Sequence, residues 1–331
     1  MGEIVMFGEK TIYPIIFPSN YNGLGSINWY IYKNGLDYTL IDAGIQTPEF
    51  EAFFFQKLIE YNIELAQINR IILTHFHADH IGMVNGITKK YNIPLYASKM
   101  AIPRLKCEQS YLRQKIDFYN DLYAYYDVSD FSIERMAKME KTLQNNEQVM
   151  IHCEILSLSE EQKIAGLEVV ASPGHTPDSI CLFDRETGWL LAGDFLLETG
   201  ITNALVDHDE LGQLINPITQ YLHSIDKVKA LPISKVFAGH QNPFGNIDVV
   251  IQNSLSKIEY KLQKILKKIA EGNNTARKLG EELYGPRFAQ FFTFIISEII
   301  GLTLLAEQRG YIKREWQDGQ WYFTIMNPIL N

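Results

Sequence analysis

The stretch "THFHADHIG", Thr74–Gly82, packs His75, His77 and His80 together with Asp79 into six consecutive positions of a 331-residue chain that has eight histidines in all. Three uses fit such a cluster: a structural metal, a catalytic metal, or a polar loop that caps a helix. The short apolar run "INRIILT" (Ile68–Thr74) leads straight into it and reads as a strand that delivers the cluster to its place. Side chains alternate along extended chain, so His75 and His77 point the same way while Phe76 points into the fold. If a helix begins near Asp79, Asp79 and His80 swing to the other side of the point on which the two imidazoles converge. One segment then serves two ions.

Three later stretches end an apolar run with a ligand-type residue. "SPGHT" supplies His175, "LLAGD" supplies Asp194 and "VFAGH" supplies His240, each directly after a glycine that lets the backbone approach a crowded centre. Imidazole and carboxylate suit zinc, and a carboxylate can bridge two ions. His75, His77, Asp79, His80, His175, Asp194 and His240 therefore make a complete set for a two-metal site. A structural zinc fits poorly, because Cys107, Cys153 and Cys181 form no ligand pattern.

The length allows two domains, or one large domain with an appendage. Hydrophobic residues at 46% and charged residues at 21% describe a globular chain, and a formal net charge of −9 gives it no general attraction for nucleic acid or anionic lipid. Three scattered cysteines do not suggest a disulfide framework, and the opening "MGEIVMFGEK" has no signal-peptide pattern, so a cytoplasmic location is expected. The apolar "FFTFIISEIIGLTLL" (Phe291–Leu305) is shorter than a membrane span and carries Glu298, so it reads as a buried helix.

Strand signals dominate the first third, where "INWYIYKNGLDYTLIDAG" (Ile27–Gly44) forms two runs around Asn34-Gly35. Thr47-Pro48 then starts a helix. From about Lys99 to Met150 the texture is helical and aromatic, with Tyr111, Phe118, Tyr119, Tyr123, Tyr125, Tyr126 and Phe131 in one stretch, which reads as a helical insertion. Strand texture returns with "LEVVASPGHT", "SICLFD" and "WLLAGD". The chain becomes helical again after "KVFAGH" and ends in two strand-like runs joined at Asp318-Gly319.

"LIDAG", "THFHADHIG", "SPGHTPDSICLF", "LAGD" and "FAGH", in that order over roughly the first 250 residues, resemble the metallo-β-lactamase-fold hydrolase superfamily. The resemblance implies an α/β, four-layer αβ/βα sandwich over residues 1–250, with the helical insertion at about 99–150. It further implies that His75, His77 and His175 bind one metal, that Asp79, His80 and His240 bind the other, and that Asp194 bridges them. Asp42 of "LIDAG" would sit behind the ligands, although ending its strand explains it equally well. His77 stands where the flavo-diiron branch has glutamate, which disfavours redox iron. The bridging Asp194, generally lacking in true β-lactamases of this fold, disfavours an antibiotic-destroying enzyme. The pattern is nearer to the glyoxalase II, lactonase and nuclease-type branches. "GDFLLETGITNAL", "GHQNPFGN" and the helical tail resemble a bacterial subgroup of metallo-hydrolases with a small winged-helix-like C-terminal domain, here 251–331. Two departures from that subgroup are Phe195, where histidine is common, and "GHQ" in place of "GHG".

The cofactor expected is two Zn2+, with Mn2+ or Fe2+ able to use similar ligands. A water shared by two zinc ions would present hydroxide near neutral pH, and Asp79 would orient it and help move a proton to the leaving group. The leading expectation is a hydrolase for a small ester-type substrate, a thioester or lactone. A metal-dependent nuclease or phosphodiesterase is the alternative, and a non-catalytic ligand sensor is a third. From Ser254 to Asn331 the net charge is +3 against −12 for the rest, but the helix "SEIIGLTLLAEQRG" has Arg309 as its sole cation, so nucleic acid is not favoured as a partner. The insertion rings either pack the added helices, onto the core or onto a second copy in a homodimer, or line a substrate pocket. Tyr123, Tyr125, Tyr126 and Phe195 are the candidates for substrate contact.

Overall fold

The computed structural model describes residues 2–19 and 23–326. Seven strands form the first sheet: β1 (Val5–Phe7), β2 (Lys10–Pro18), β3 (Ser26–Asn34), β4 (Asp37–Ile41), β5 (Ile68–Ile72), β6 (Leu95–Ser98) and β7 (Ile155–Leu158), in that spatial order. They are antiparallel up to β4 and parallel from β4 onward. The second sheet contains β8 (Lys163–Ile164), β9 (Leu167–Ala171), β10 (Ile180–Asp184) and β11 (Trp189–Gly193). A small ribbon of β12 (Asp207–His208) and β13 (Leu214–Ile215) intervenes before β14 (Lys235–Ala238) joins the second sheet beside β11, in parallel. Both sheets thus send parallel strands toward one edge.

Period-two alternation builds the layers. Tyr30 and Tyr32 of β3, Leu182 of β10 and Leu191 of β11 face the space between the sheets, together with Ile12, Ile72 and Phe237. Their neighbours Trp29, Ile31, Leu40 and Ile71 turn outward against Phe50, Phe54 and Leu58 of α1 (Pro48–Glu60). The same outer layer continues through α2 (Ala78–Ile81) and α3 (Val84–Tyr91), which contributes Val84 and Ile87. On the far side Cys181, Phe183, Leu190 and Ala192 pack against the helices that follow β11. The order is helix, sheet, sheet, helix, as the resemblance implies. Each large aliphatic or aromatic side chain buried in these layers contributes roughly 1.5–3 kcal/mol.

Local chemistry explains the connections. The Thr47 hydroxyl accepts from Phe50 N–H at 3.3 Å and Pro48 opens α1, as the Thr-Pro pair predicts. The hairpin between β3 and β4 turns on Gly35-Leu36 rather than on Asn34-Gly35, because Asn34 still pairs with Asp37 and glycine, at φ +61°, takes the first central position. The final hairpin turns where expected, at Asp318 and Gly319, both with positive φ, between β15 (Ile312–Gln317) and β16 (Gln320–Ile325).

The insertion between β6 and β7 is helical, comprising α4 (Ile102–Leu105), α5 (Gln109–Tyr125), α6 (Ile133–Gln144) and α7 (Asn146–Val149). α8 (Pro217–Lys229) covers the second sheet. The tail begins with α9 (Ile247–Ala270), which passes residue 250 without a break, and continues through α10 (Ala276–Tyr284), α11 (Arg287–Gln290) and α12 (Phe292–Gln308) to the hairpin. This helical region fits an added domain, and its apolar face shares one core with the insertion and the second sheet. α12 forms the helix expected at Phe291–Leu305, largely buried but with Phe291 just outside it and exposed like Phe294, and among the described residues no helix is long and apolar enough to cross a membrane.

One buried ion pair ties the sheets together. Lys10 Nζ of β2 and the Tyr32 hydroxyl of β3 donate to opposite oxygens of Asp184 at the end of β10, both at 2.8 Å. Burial opposes the charge on Asp184, but these donors outweigh it and hold the carboxyl below the usual range. Asp184→Asn leaves Lys10 without its buried partner, so a loss of about 2 kcal/mol is expected in urea unfolding near neutral pH. The depressed pKa makes that contribution fully present above the ordinary aspartate range and lost as pH falls through the folded value. The difference between wild type and variant should therefore shrink below about pH 4, and a difference that is independent of pH would contradict the assignment.

Candidate metal centre

Every expected ligand stands at the common edge of the two sheets. β5 ends just before Thr74 and His75, and His77 caps the short helix α2, which carries Asp79 and His80. His175 lies in the turn between β9 and β10, Asp194 follows β11 and His240 follows β14 after Gly239. The β11–β14 pairing is irregular between Leu191 and Gly193, immediately before Asp194.

The donor atoms converge. His77 Nδ1 lies 3.1 Å from His75 Nε2 and 2.9 Å from His175 Nε2. Asp194 Oδ1 is 3.2 Å from His80 Nε2, and Asp194 Oδ2 is 3.1 Å from His240 Nε2 and 3.5 Å from His175 Nε2. Asp79 Oδ2 stands 3.5 Å from His240 Nε2 and 3.9 Å from His80 Nε2. Three ligand groups result, each with its atoms within 4.8 Å: His75, His77 and His175; His75, His80 and Asp194; Asp79, His80 and His240. Asp194 reaches toward both halves.

The surrounding acceptors decide which nitrogens face inward. His80 Nδ1 donates to Asp42 at 2.9 Å, His240 Nδ1 to the Ser26 carbonyl at 2.6 Å, and His175 Nδ1 to the Asn203 carbonyl at 2.9 Å, with the Thr202 hydroxyl at the same distance. Asp42 also accepts from the Thr74 N–H and hydroxyl at 2.8 Å each, so that hydroxyl oxygen can accept from His75 Nδ1 at 3.1 Å. With their protons held outward, the Nε2 atoms of His75, His80, His175 and His240 turn lone pairs toward the centre. His80 Nε2 and Asp194 Oδ1 are buried without a hydrogen bond. Crowded lone pairs beside a buried carboxylate are the donor set that a divalent cation satisfies, so the residues fit the metals that the sequence implies.

The electrostatics divide the histidines: His75, His77 and His175 are held in the neutral form, whereas the carboxylate beside His80 and His240 favours their protons, which a cation bound at Nε2 would have to displace. Burial, then the neighbouring imidazoles, push His75 well below the ordinary histidine value, and burial with His175 does the same to His77. Burial would lower His80 too, but Asp194 and Asp42 outweigh it and raise it well above that value. Burial would raise Asp194, yet His80 and His240 hold it well below the carboxylate range.

Close approach explains the glycines. A Cβ on Gly239 would lie 2.3 Å from Asp194 Oδ1 and 2.6 Å from His80 Cε1, and one on Gly193, at φ +48°, would lie 2.5 Å from the Thr74 hydroxyl oxygen. Asp42 itself has φ +62°, and its carboxylate stands behind His80. Several supporting groups gave no motif signal. Asn28 donates to the carbonyls of Ala238 and Gln241, and the Tyr30 hydroxyl donates to the Ala238 carbonyl, which fixes the strand end that carries His240.

The four suggested substrate contacts have packing partners. Tyr123 is buried against Phe292, and the Tyr126 hydroxyl accepts from Arg314 of the tail. Tyr125 is exposed with its ring against Trp316, and Phe195 is buried against Tyr221. Tyr123, Tyr125 and Tyr126 thus meet Phe292, Trp316 and Arg314 of the tail, and Phe195 meets Tyr221 of α8.

A sandwich of two sheets with histidine and aspartate ligands gathered at one edge defines the class as a metal-binding hydrolase fold. The family model described as the metallo-beta-lactamase superfamily matches residues 22–240, and the chain belongs to that superfamily. It is 25% identical over 308 residues to a probable metallo-hydrolase, YqjP, of Bacillus subtilis (strain 168), covering 92% of this chain and 94% of the relative. It is 21% identical over 326 residues to an atrochrysone carboxyl ACP thioesterase of Aspergillus fumigatus, covering 92% and 85%. A metallo-beta-lactamase family protein of Thermus thermophilus shares the fold at a TM-score of 0.73 and 20% identity, over 95% of this chain and 98% of that one.

Asp42→Asn removes an acceptor from His80 Nδ1 and Thr74 while preserving shape. Zinc affinity, read by competition with a chromophoric chelator, is expected to fall about 10–100-fold with far-UV circular dichroism unchanged. Wild-type affinity in the variant would leave Asp42 with only a strand-ending role.

Proposed function

We propose that the chain is a dinuclear zinc hydrolase acting on a small ester-type substrate, a thioester or lactone. The observation that carries this reading is the position of Asp194 between two histidine groups, with one oxygen toward His80 and the other toward His240 and His175. The thioesterase relative, aligned over most of both chains, supports the thioester class.

Two divalent cations held by these residues would supply Lewis acidity and lower the pKa of water toward neutrality. The chain's own groups then prepare the site. Asp42, Thr74, Ser26 and Asn203 fix the imidazole orientations before substrate arrives, so little reorganisation is needed. Asp79, at 7% exposure beside His240, is placed to orient a water and to pass a proton toward the leaving thiol or alcohol. His77 is the least buried of the histidine ligands, so the substrate carbonyl enters from its side. Zinc is preferred over manganese because imidazole supplies most of the donors. The tail, three helices and a terminal hairpin after α9, is read as winged-helix-like.

Metal analysis of the purified, zinc-supplemented chain is expected to give about two ions per chain, and a panel of thioesters and lactones is expected to show turnover. Asp79→Ala should lower kcat/KM by about 100-fold or more. One ion or none per chain, or no hydrolysis of either ester class by the fully loaded protein, would refute the proposal.

A further inference from the structure

Buried side-chain polar atoms without a hydrogen bond gather mainly in two places. One is the metal centre. The other lies beside it under the helical insertion and includes Arg104 Nε, Arg135 Nε, the Tyr111 hydroxyl, His208 Nε2 and both oxygens of Asp178. Such atoms mark a place built to be completed by something else.

Three cations meet there. Arg104 pairs with Asp207 at 3.1 Å. Lys115 and Arg135 make no ion pair among the described residues and lie over rings instead. Lys115 Nζ is 5.1 Å from the centroid of Phe76 and 5.4 Å from that of Tyr111, and the Arg135 guanidinium is 4.3 Å from that of Tyr119. Asp207 and Asp178 stand closest to these three cations, while Glu108, Asp117, Asp209 and Glu210, with Arg113, line the adjoining cleft that Arg104, Tyr111 and His208 share. Burial pushes the Asp178 carboxyl up to about 6, which weakens its negative charge, and burial lowers the Lys115 ammonium.

The recess adjoins the centre. Phe76 separates the ligands His75 and His77 in the chain, and its ring centroid is 4.9 Å from that of His77. The Lys115 ammonium and a ligand imidazole thus both lie near this ring. His77, Phe76 and Lys115 are all partly exposed. Two segments also run from the centre to the recess: His175 to Asp178, and the Thr202–Asn203 pair that holds His175 to Asp207 and His208.

We propose that this recess is a specificity pocket that takes a single carboxylate of the substrate, one aromatic ring away from the ester that is hydrolysed. The proposal rests on the hydrolase reading and names its substrate class, an ester or thioester whose acyl or leaving part bears a free carboxylate. A carboxylate brings two oxygens with about four acceptor sites to the unmet Arg104 and Arg135 Nε donors and to the Lys115 ammonium, which has no ion pair among the described residues, in charge-assisted bonds. A neutral amide or methyl ester would leave those donors unmet, which is the arrangement that discriminates most strongly.

The test reads binding and turnover separately in the zinc-loaded full chain. Succinate, succinamide and inorganic phosphate are titrated into wild type, Lys115→Met, Lys115→Arg and Asp79→Ala, with Tm as the readout. Succinate is expected to raise Tm in wild type, Lys115→Arg and Asp79→Ala but not in Lys115→Met, which keeps an apolar stem over Phe76. Succinamide should have no effect, and phosphate should act less than succinate in Asp79→Ala. A succinate shift that survives in Lys115→Met, that disappears in Asp79→Ala, or that phosphate exceeds there overturns the carboxylate pocket. In turnover, the kcat/KM ratio of a thioester with a free carboxylate to its methyl-ester counterpart should fall about tenfold or more in Lys115→Met and recover in Lys115→Arg. An unchanged ratio overturns the substrate assignment. Binding that follows Lys115 without hydrolysis of either thioester would refute the hydrolase reading and leave the pocket standing.

Discussion

Asp42 is the constraint on which the centre depends. Its two oxygens receive the Thr74 N–H, the Thr74 hydroxyl and the His80 Nδ1–H, so a single carboxylate joins the end of β4 to the strand and the helix that carry four ligands. Through Thr74 the effect extends to His75, and the Thr74 carbonyl accepts from Ile180 N–H of the second sheet. Removing Asp42 would free the tautomer of His80 and loosen the register of both sheets at the edge where metals would sit. The left-handed backbone at this residue is a modest local cost for an interaction that orders the whole edge.

The two-sheet architecture serves that edge. Parallel pairing of β4 with β5 and of β11 with β14 brings strand ends to one side, where the chain leaves the hydrogen-bond ladder and can present ligands. Between the sheets, Tyr30 reaches across to the carbonyl before Gly239, so the packing that buries aromatic rings also places His240. Stability and site geometry use the same side chains. The insertion and tail are joined in a similar way, with Tyr123, Phe131, Phe288 and Phe292 forming one aromatic contact zone. Of the rings suggested by the sequence for substrate contact, Tyr123 lies in that zone.

Much of the centre was legible in the sequence because its residues come in short motifs. Strand, turn and ligand lie within a few positions in "THFHADHIG", "SPGHT", "LAGD" and "FAGH", and glycine before three of the ligands reports the close approach found at Gly193 and Gly239. The supporting groups were not legible. Ser26 acts through its carbonyl, Asn203 through its carbonyl and Thr202 through a hydroxyl in an irregular loop, and none of these has a characteristic residue pattern. The hairpin turn was displaced by one residue because the ladder kept Asn34 paired, a tertiary preference that outweighed the local Asn-Gly signal.

The sequence by itself determined the candidate ligand set, the α/β layering and the presence of a helical insertion and tail, since each is written in local periodicity or in closely spaced residue types. Tertiary structure alone decided which nitrogen of each histidine faces inward, because that depends on acceptors up to 214 positions away along the chain. It also decided that Tyr123 and Tyr125 of α5 pack against the tail while Tyr111 meets His208 and Tyr119 meets Arg135, and that Arg104 and Lys115 gather near Phe76. Residues 99–150 hold eight Lys and Arg and eight Asp and Glu, and no count along a chain records which of them end up without a partner once helices and loops fold together.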